Sequence, residues 1–256
     1  MWQDLERNKT GPLHKPKSTQ VEPISFLALK YSTNLKKNFK AMVTKSFLSW
    51  TLIALLGFTS ISCNGQSPKL SKSDKPVGGA CEGCEAVFEF GDRDLNPVDT
   101  LTGFMFSDPK LKLFGKVYQK DGKTPAGGVI LYIYHTDRTG VYPRKGNETG
   151  WGKRHGYLRG WVKTDESGNY AFYTFRPAAY QDRSEPAHIH LTVKEPGKTA
   201  YYLDDFLFED DPLLTPEKKQ SFPQRGGSGV FLPIYQDGIF QIKRDIVLGI
   251  NIPDYE

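Results

Sequence analysis

From Leu111 to Ile250 the chain is a succession of short runs rich in Val, Ile, Leu, Tyr and Phe, interrupted by Gly, Pro, Asp and Asn. "KLFGKVYQ" and "GGVILYIYH" are separated by "KDGKTPA" with its Asp-Gly turn signal, and "GWVKTD", the turn "ESGN" and "YAFYTFRP" predict a hairpin. "AHIHLTVKE", "AYYLDDFLF", "GVFLPIYQ" and "IFQIKRDIVLGI" continue the pattern. Strands this closely spaced predict an all-β fold, an antiparallel β-sandwich or partly open barrel. Only "TPEKKQSF" reads as a helix, with Thr215 as cap and Pro216 at the first position. Residues 81–256 are enough for one such domain to bury a real core.

The amino-terminal third has another character. Residues 42–62 run from Lys45 through an apolar core, Phe47 to Phe58, to small residues ending at Cys63. This is a secretory-signal layout, too short for a membrane span of about 20 residues. It resembles a bacterial lipoprotein signal, which implies that Cys63 is the lipidated residue of an exported, membrane-anchored protein. Simple secretion and an uncleaved anchor stay open, since Ser60 stands three before the cysteine where that class carries Leu, Val or Ile. Residues 1–41 read as a mis-assigned or disordered extension, with eight Lys or Arg against three Asp or Glu. With Lys45 they carry a net +6, so the formal +5 of the whole chain leaves −1 for residues 63–256. No basic face is predicted, and nucleic acid is excluded as a partner.

Residues 63–80 are polar and rich in Ser, Lys, Pro and Gly, the composition of a flexible tether. Cys81 and Cys84 form "CEGC" with no second pair to complete a zinc site. They are left as a short disulfide, suited to an exported protein, or a pair of free thiols.

Two of the five histidines stand one residue apart in "PAHIH". On a strand, alternate side chains share a face, so His188 and His190 would point together with Cα atoms about 6.6 Å apart. Tyr142 in "RTGVYP" and Tyr180 in "RPAAY" both precede them, each after a predicted strand. Ferric iron favours hard anionic oxygen ligands, which phenolates supply while imidazoles fill other positions.

In the order of "FGKVYQKDGKTPAGGVILYIYHTDRTGVYP", "LRGWVKTDESGNYAFYTFRPAAY" and "EPAHIHLTV", the chain resembles the intradiol ring-cleavage dioxygenases, non-haem iron(III) enzymes that open catechols. The resemblance covers Leu113 to Pro212. It implies a β-sandwich with the site at one end and Fe(III) held by Tyr142, Tyr180, His188 and His190. It implies a small aromatic diol and dioxygen as substrates, with Tyr180 both ligand and proton acceptor; homo-oligomerisation stays open. Two positions depart from the family. Glu185 stands where the family carries Arg, and Asp205 where protocatechuate-using relatives carry Gln. Two carboxylates there predict a neutral or cationic substrate, unless Arg183 replaces the missing charge.

Tyr157, Tyr170, His135 and His155 read as structural, "DDFLFEDDP" as a solvated acidic turn, and Ser228 as a loop residue without the strand-turn-helix of a nucleophile. The competing function is a non-catalytic module, because the same turns resemble transthyretin-like and carboxypeptidase-regulatory-like sandwiches. Those have no need of paired tyrosines or "HIH".

Overall fold

The structure, a computed structural model, describes residues 74–256. The readings of residues 1–41 as an extension, 42–62 as a signal and Cys63 as a lipid attachment point lie outside the described residues. So does the tether as far as residue 73. Residues 74–80, which composition placed in the tether, are instead docked. Val77 is buried in the core, Asp74 pairs with Lys194 at 3.1 Å, and Arg225 donates to the Gly78 carbonyl at 2.9 Å. A composition argument has no sight of such partners, which lie more than a hundred residues away.

Twelve strands form two sheets among the described residues. The first sheet holds β1 (Val98–Thr100), β2 (Lys110–Tyr118), β5 (Asn169–Phe175), β10 (Ile234–Gln236), β11 (Ile239–Lys243) and β12 (Ile246–Val247). The second holds β3 (Ile130–Tyr134), β4 (Arg159–Lys163), β6 (His188–Lys194), β7 (Tyr201–Tyr202), β8 (Phe206–Phe208) and β9 (Val230–Phe231). Strand β2 alternates half-buried and buried side chains along its whole length. Its Leu111, Leu113 and Val117, with Phe172 of β5, meet Leu131 and Ile133 of β3 and Ile189, Leu191 and Val193 of β6 in one apolar cluster. Each such side chain contributes roughly 1.5–3 kcal/mol relative to solvent exposure. The fold is thus the expected β-sandwich. Its central pairs are antiparallel, and parallel pairs enter at β1, β9, β11 and β12.

The predicted hairpin is not one. β4 pairs with β3, and β5 pairs with β2 in the other sheet. The turn itself is as read, with the Asp165 carboxylate accepting from the backbone and side chain of Asn169 and Gly168 at φ 75°. Turn chemistry reverses the chain without deciding whether the flanking strands bond to each other. The run "AYYLDDFLF" also divides. Val193 lies opposite Tyr201 and Ile189 opposite Phe206, so four steps along β6 face five along its neighbour. The extra residue is a bulge, a device that re-aims a side chain. Here it falls at Asp204–Asp205. The Asp204 carboxylate accepts from the backbone N–H of Gln224 and Arg225, and Asp205 turns toward β6.

The helix α2 (Pro216–Ser221) starts as predicted, with Thr215 Oγ1 accepting from Lys218 N. A second α-helix, α1 (Gly152–His155), and a 3-10 helix at Cys84–Phe88 are not predicted from the sequence. Helix α1 presents Trp151, Arg154 and His155 to the end of the sandwich where β6 begins.

Candidate metal centre

The loops carrying the two tyrosines are stitched to each other. Thr136 Oγ1 donates to the Ala178 carbonyl at 2.7 Å, and Ala178 N to the Asp137 carbonyl at 3.0 Å. Gly140, at φ 79°, lies so close to Ala179 that a Cβ would fall 2.1 Å from its carbonyl oxygen. The Asp137 carboxylate folds the first loop by accepting from the N–H groups of Thr139 and Val141. These bonds deliver Tyr142 and Tyr180 to one place.

Both meet the histidines of β6. Tyr142 Oη is 2.8 Å from Tyr180 Oη and 2.8 Å from His190 Nε2, while His188 Nε2 is 3.2 Å from Tyr180 Oη and 3.1 Å from His190 Nε2. Outer partners set the tautomers. His188 Nδ1 donates to the Pro186 carbonyl at 2.7 Å, and His190 Nδ1 to Asp205 Oδ1 at 3.2 Å. A neutral imidazole with its proton on Nδ1 has a bare Nε2. Two phenol protons must therefore serve a ring of four close contacts. Two of the four set lone pair against lone pair, a conflict that a shared cation removes.

The spacing fits such an ion. A metal about 2.0–2.1 Å from each imidazole nitrogen, with neighbouring donors near right angles, holds them about 2.9 Å apart. Burial, then the bond to Tyr180, pushes the Tyr142 phenol far above its ordinary value. Burial raises Tyr180 as well, against the opposing pull of its bond to Tyr142. Burial and the neighbouring His190 hold His188 below the usual imidazole range. The His188 imidazole is thus ready as a neutral donor, whereas the phenols release protons when a cation binds.

Asp205 completes a group of three metal-ligating types with His188 and His190. Its carboxylate faces His190 Nδ1, on the ring edge away from the phenols, so it orients the imidazole rather than joining the ring of four side chains. Desolvation would raise the Asp205 carboxyl, but His190 and His188 outweigh it and the group stays below its usual range.

Glu185 pairs with Lys218 at 2.7 Å, and Arg183 lies exposed in a turn at φ 57°. Neither lines the cavity that opens on the phenols. The Cys81 and Cys84 pair forms a disulfide, with Cα atoms 5.7 Å apart.

Several neighbours of the site escaped sequence reasoning. Tyr134 is sandwiched between His190, with ring centres 4.3 Å apart, and His155, at 3.7 Å. His155 also bonds Tyr132 through Nδ1 at 2.8 Å, and burial holds it at about 3. The glycines around "KRH" were the available signal, because they let α1 turn tightly against the Tyr142 loop. A cavity of about 200 Å³ opens on Tyr142, Tyr180 and His190 and is walled by Trp151, Arg154 and Glu82. An apolar cavity of about 150 Å³ suffices for benzene, so this one suits a single substituted ring. A larger cleft of about 350 Å³ lies against the disulfide between Val77, Phe88 and Ala200, away from the four donors.

A family model described as dioxygenase matches residues 98–225, half of the chain. The catechol 1,2-dioxygenase of Candida albicans is 33% identical over 36% of this chain and 34% of its own, so the chain spans about a third of that relative's length. Among solved structures, the dioxygenase domain of a carbohydrate-binding fusion protein from Streptomyces sp. SirexAA-E matches at a TM-score of 0.42, with 20% identity, over 63% of this chain and 96% of that one. The catechol 1,2-dioxygenase of Pseudomonas arvilla C-1 matches at 0.46, with 18% identity, over 60% and 56%. With its dioxygenase match spanning both tyrosines and both histidines, the chain belongs to the intradiol ring-cleavage dioxygenase family.

Proposed function

We propose that this protein is an iron(III)-dependent dioxygenase that opens a catechol-type ring between its two hydroxyl-bearing carbons, giving a diacid. The observation that carries the reading is the ring of four donors, Tyr142, Tyr180, His188 and His190, within 2.8–3.2 Å of one another along its edges. Two phenol oxygens favour a hard, highly charged ion over the softer divalent metals. A plain binding module has no use for such a cluster, so the transthyretin-like alternative is not favoured.

Bound there, ferric iron would supply Lewis acidity and the electron affinity that lets a diol react with dioxygen. The chain's own residues do the rest. Tyr180 sits at the start of the exposed turn 181–185, whereas Tyr142 is backed by Gly156, whose Cα leaves no room for a Cβ against Pro143. Tyr180 is therefore the phenol free to swing aside and take a substrate hydroxyl proton. His188 and His190 stay fixed by Pro186 and Asp205. Trp151 and Tyr134 wall the ring, and the small cavity holds it against the donors.

Export on a lipid anchor at Cys63 is part of the same proposal. The signal-like residues 42–62 support it, and so does a disulfide of the kind that persists in oxidising compartments. Labelling with a radioactive fatty acid tests it, and an unlabelled, unprocessed chain would refute it.

The test of the enzyme is the metal content, visible spectrum and oxygen uptake of the purified protein. Tyrosinate-bound iron(III) gives a visible charge-transfer band, and catechol should consume one equivalent of oxygen per ring. A colourless protein after iron loading rejects the metal centre. A coloured protein inert toward every catechol rejects the catalytic reading and leaves an iron-binding relative.

A further inference from the structure

We propose that Glu82 and Arg154, joined across the mouth of the cavity, set which catechols the site accepts. The closed pair leaves the mouth electrically neutral and selects uncharged rings over carboxylated ones. This inference rests on the catechol reading above and names the substrate class of that same site.

Three observations carry it. Glu82 lies in the loop closed by the Cys81–Cys84 disulfide, and the loop is pressed onto the site. Gly83, at φ 85°, sits where a Cβ would be 3.0 Å from the His155 ring, so only glycine lets the loop lie this low. Glu82 thereby borders two cavities, the one containing the phenols and a second of about 220 Å³ on the Asp205 side of His190. Opposite it, Arg154 on α1 lies over the Trp151 ring at 5.5 Å and donates to the Glu82 carboxylate.

The third observation is the charge inventory. Among the described residues, Arg154 is the one Lys or Arg lining either cavity, and its charge is taken up by Glu82. Asp205 adds a carboxylate beside His190. Among the described residues, an incoming carboxylate therefore meets no free cation. The pair is 71% and 63% exposed on its two side chains. An exposed pair adds little to fold stability, so its placement at the mouth is better read as a selector, and variants of it should fold.

The experiment compares catechol, the carboxylated protocatechuate and the aminoethyl catechol dopamine on the iron-loaded protein, by kcat/KM and by the binding constant read from the charge-transfer band. Glu82→Gln frees Arg154 and should raise the protocatechuate-to-catechol ratio about tenfold. Arg154→Gln leaves Glu82 alone and should lower that ratio while raising the dopamine-to-catechol ratio, also by about tenfold. Both shifts should shrink at high salt, as a charge effect at an exposed site must. If each variant changes all three ligands alike, the pair only shapes the loop and the inference is overturned while the catechol reading stands. If the parent protein binds none of the three, the catechol reading fails and takes the inference with it.

Discussion

His190 Nδ1 and Asp205 Oδ1 stand 3.2 Å apart because a one-residue bulge turns Asp205 back onto β6. The carboxylate fixes the tautomer that bares Nε2 and makes that nitrogen a stronger donor. Asp205→Asn keeps the size and removes the charge. Metal affinity should fall about 10–100-fold, and the visible band should shift as His190 donates less. Chelator competition and absorption spectra of loaded protein measure both. An unchanged affinity with an unchanged band would reduce Asp205 to a surface carboxylate.

The two phenols should separate on substitution. Tyr142 touches both Tyr180 and His190 and is backed by Gly156, so Tyr142→Phe removes a fixed donor. Iron retention should drop sharply, as it should for His190→Ala. Tyr180→Phe should keep more of the metal and lose the proton acceptor, lowering kcat by about 10²–10⁴-fold. Metal analysis beside single-turnover kinetics distinguishes the cases. Equal metal loss in both tyrosine variants would deny Tyr180 its mobile role.

That Tyr142, Tyr180, His188 and His190 meet was legible because they are distinctive residue types in a fixed order, and two of them share a strand face by simple alternation. Asp205 was legible as a position, but its bond to His190 was not: besides lining the cavity on that side, its carboxylate accepts from His190 Nδ1. The difference is one bulge residue, and strand periodicity carries no mark of where an extra residue enters. Glu185 was placed in the pocket by the same ungapped count, yet Lys218 draws it outward. Glu82, Arg154 and His155 come together only after the chain has crossed between sheets. The error over β4 and β5 has the same root, because local turn chemistry fixes reversal and leaves partner choice to the core.

Gly140 tests how rigidly the tyrosine loops must be joined. Its positive φ and its contact with the Ala179 carbonyl both exclude a side chain. Gly140→Ala should destabilise the protein by about 1–3 kcal/mol and push the two phenols apart. Iron affinity should fall even though no ligand has been changed. Urea unfolding of the metal-free protein and iron titration supply the two numbers. A variant that loses stability but binds iron normally would show that the loops can separate without disturbing the donors.

Acid sensitivity should come from a histidine that takes no part in the site. His135 is fully buried, with Nδ1 donating to the Thr136 carbonyl at 2.7 Å and Nε2 accepting from Thr174 Oγ1 at 2.6 Å. Burial holds it at about 4, below the 6.5 of an exposed imidazole. Above pH 6.5 the group is neutral folded or unfolded, and stability does not depend on it. As pH falls from 6.5 toward 4 only the unfolded chain takes up the proton, so stability drops by on the order of 3 kcal/mol. His155, held at about 3, adds a loss of the same sign that continues to lower pH. His135→Gln removes the first contribution, so unfolding free energies of the metal-free variant should vary less between pH 4.5 and 6.5 than those of the parent. Parallel curves would mean that His135 is protonated in the fold or that the acid response arises elsewhere.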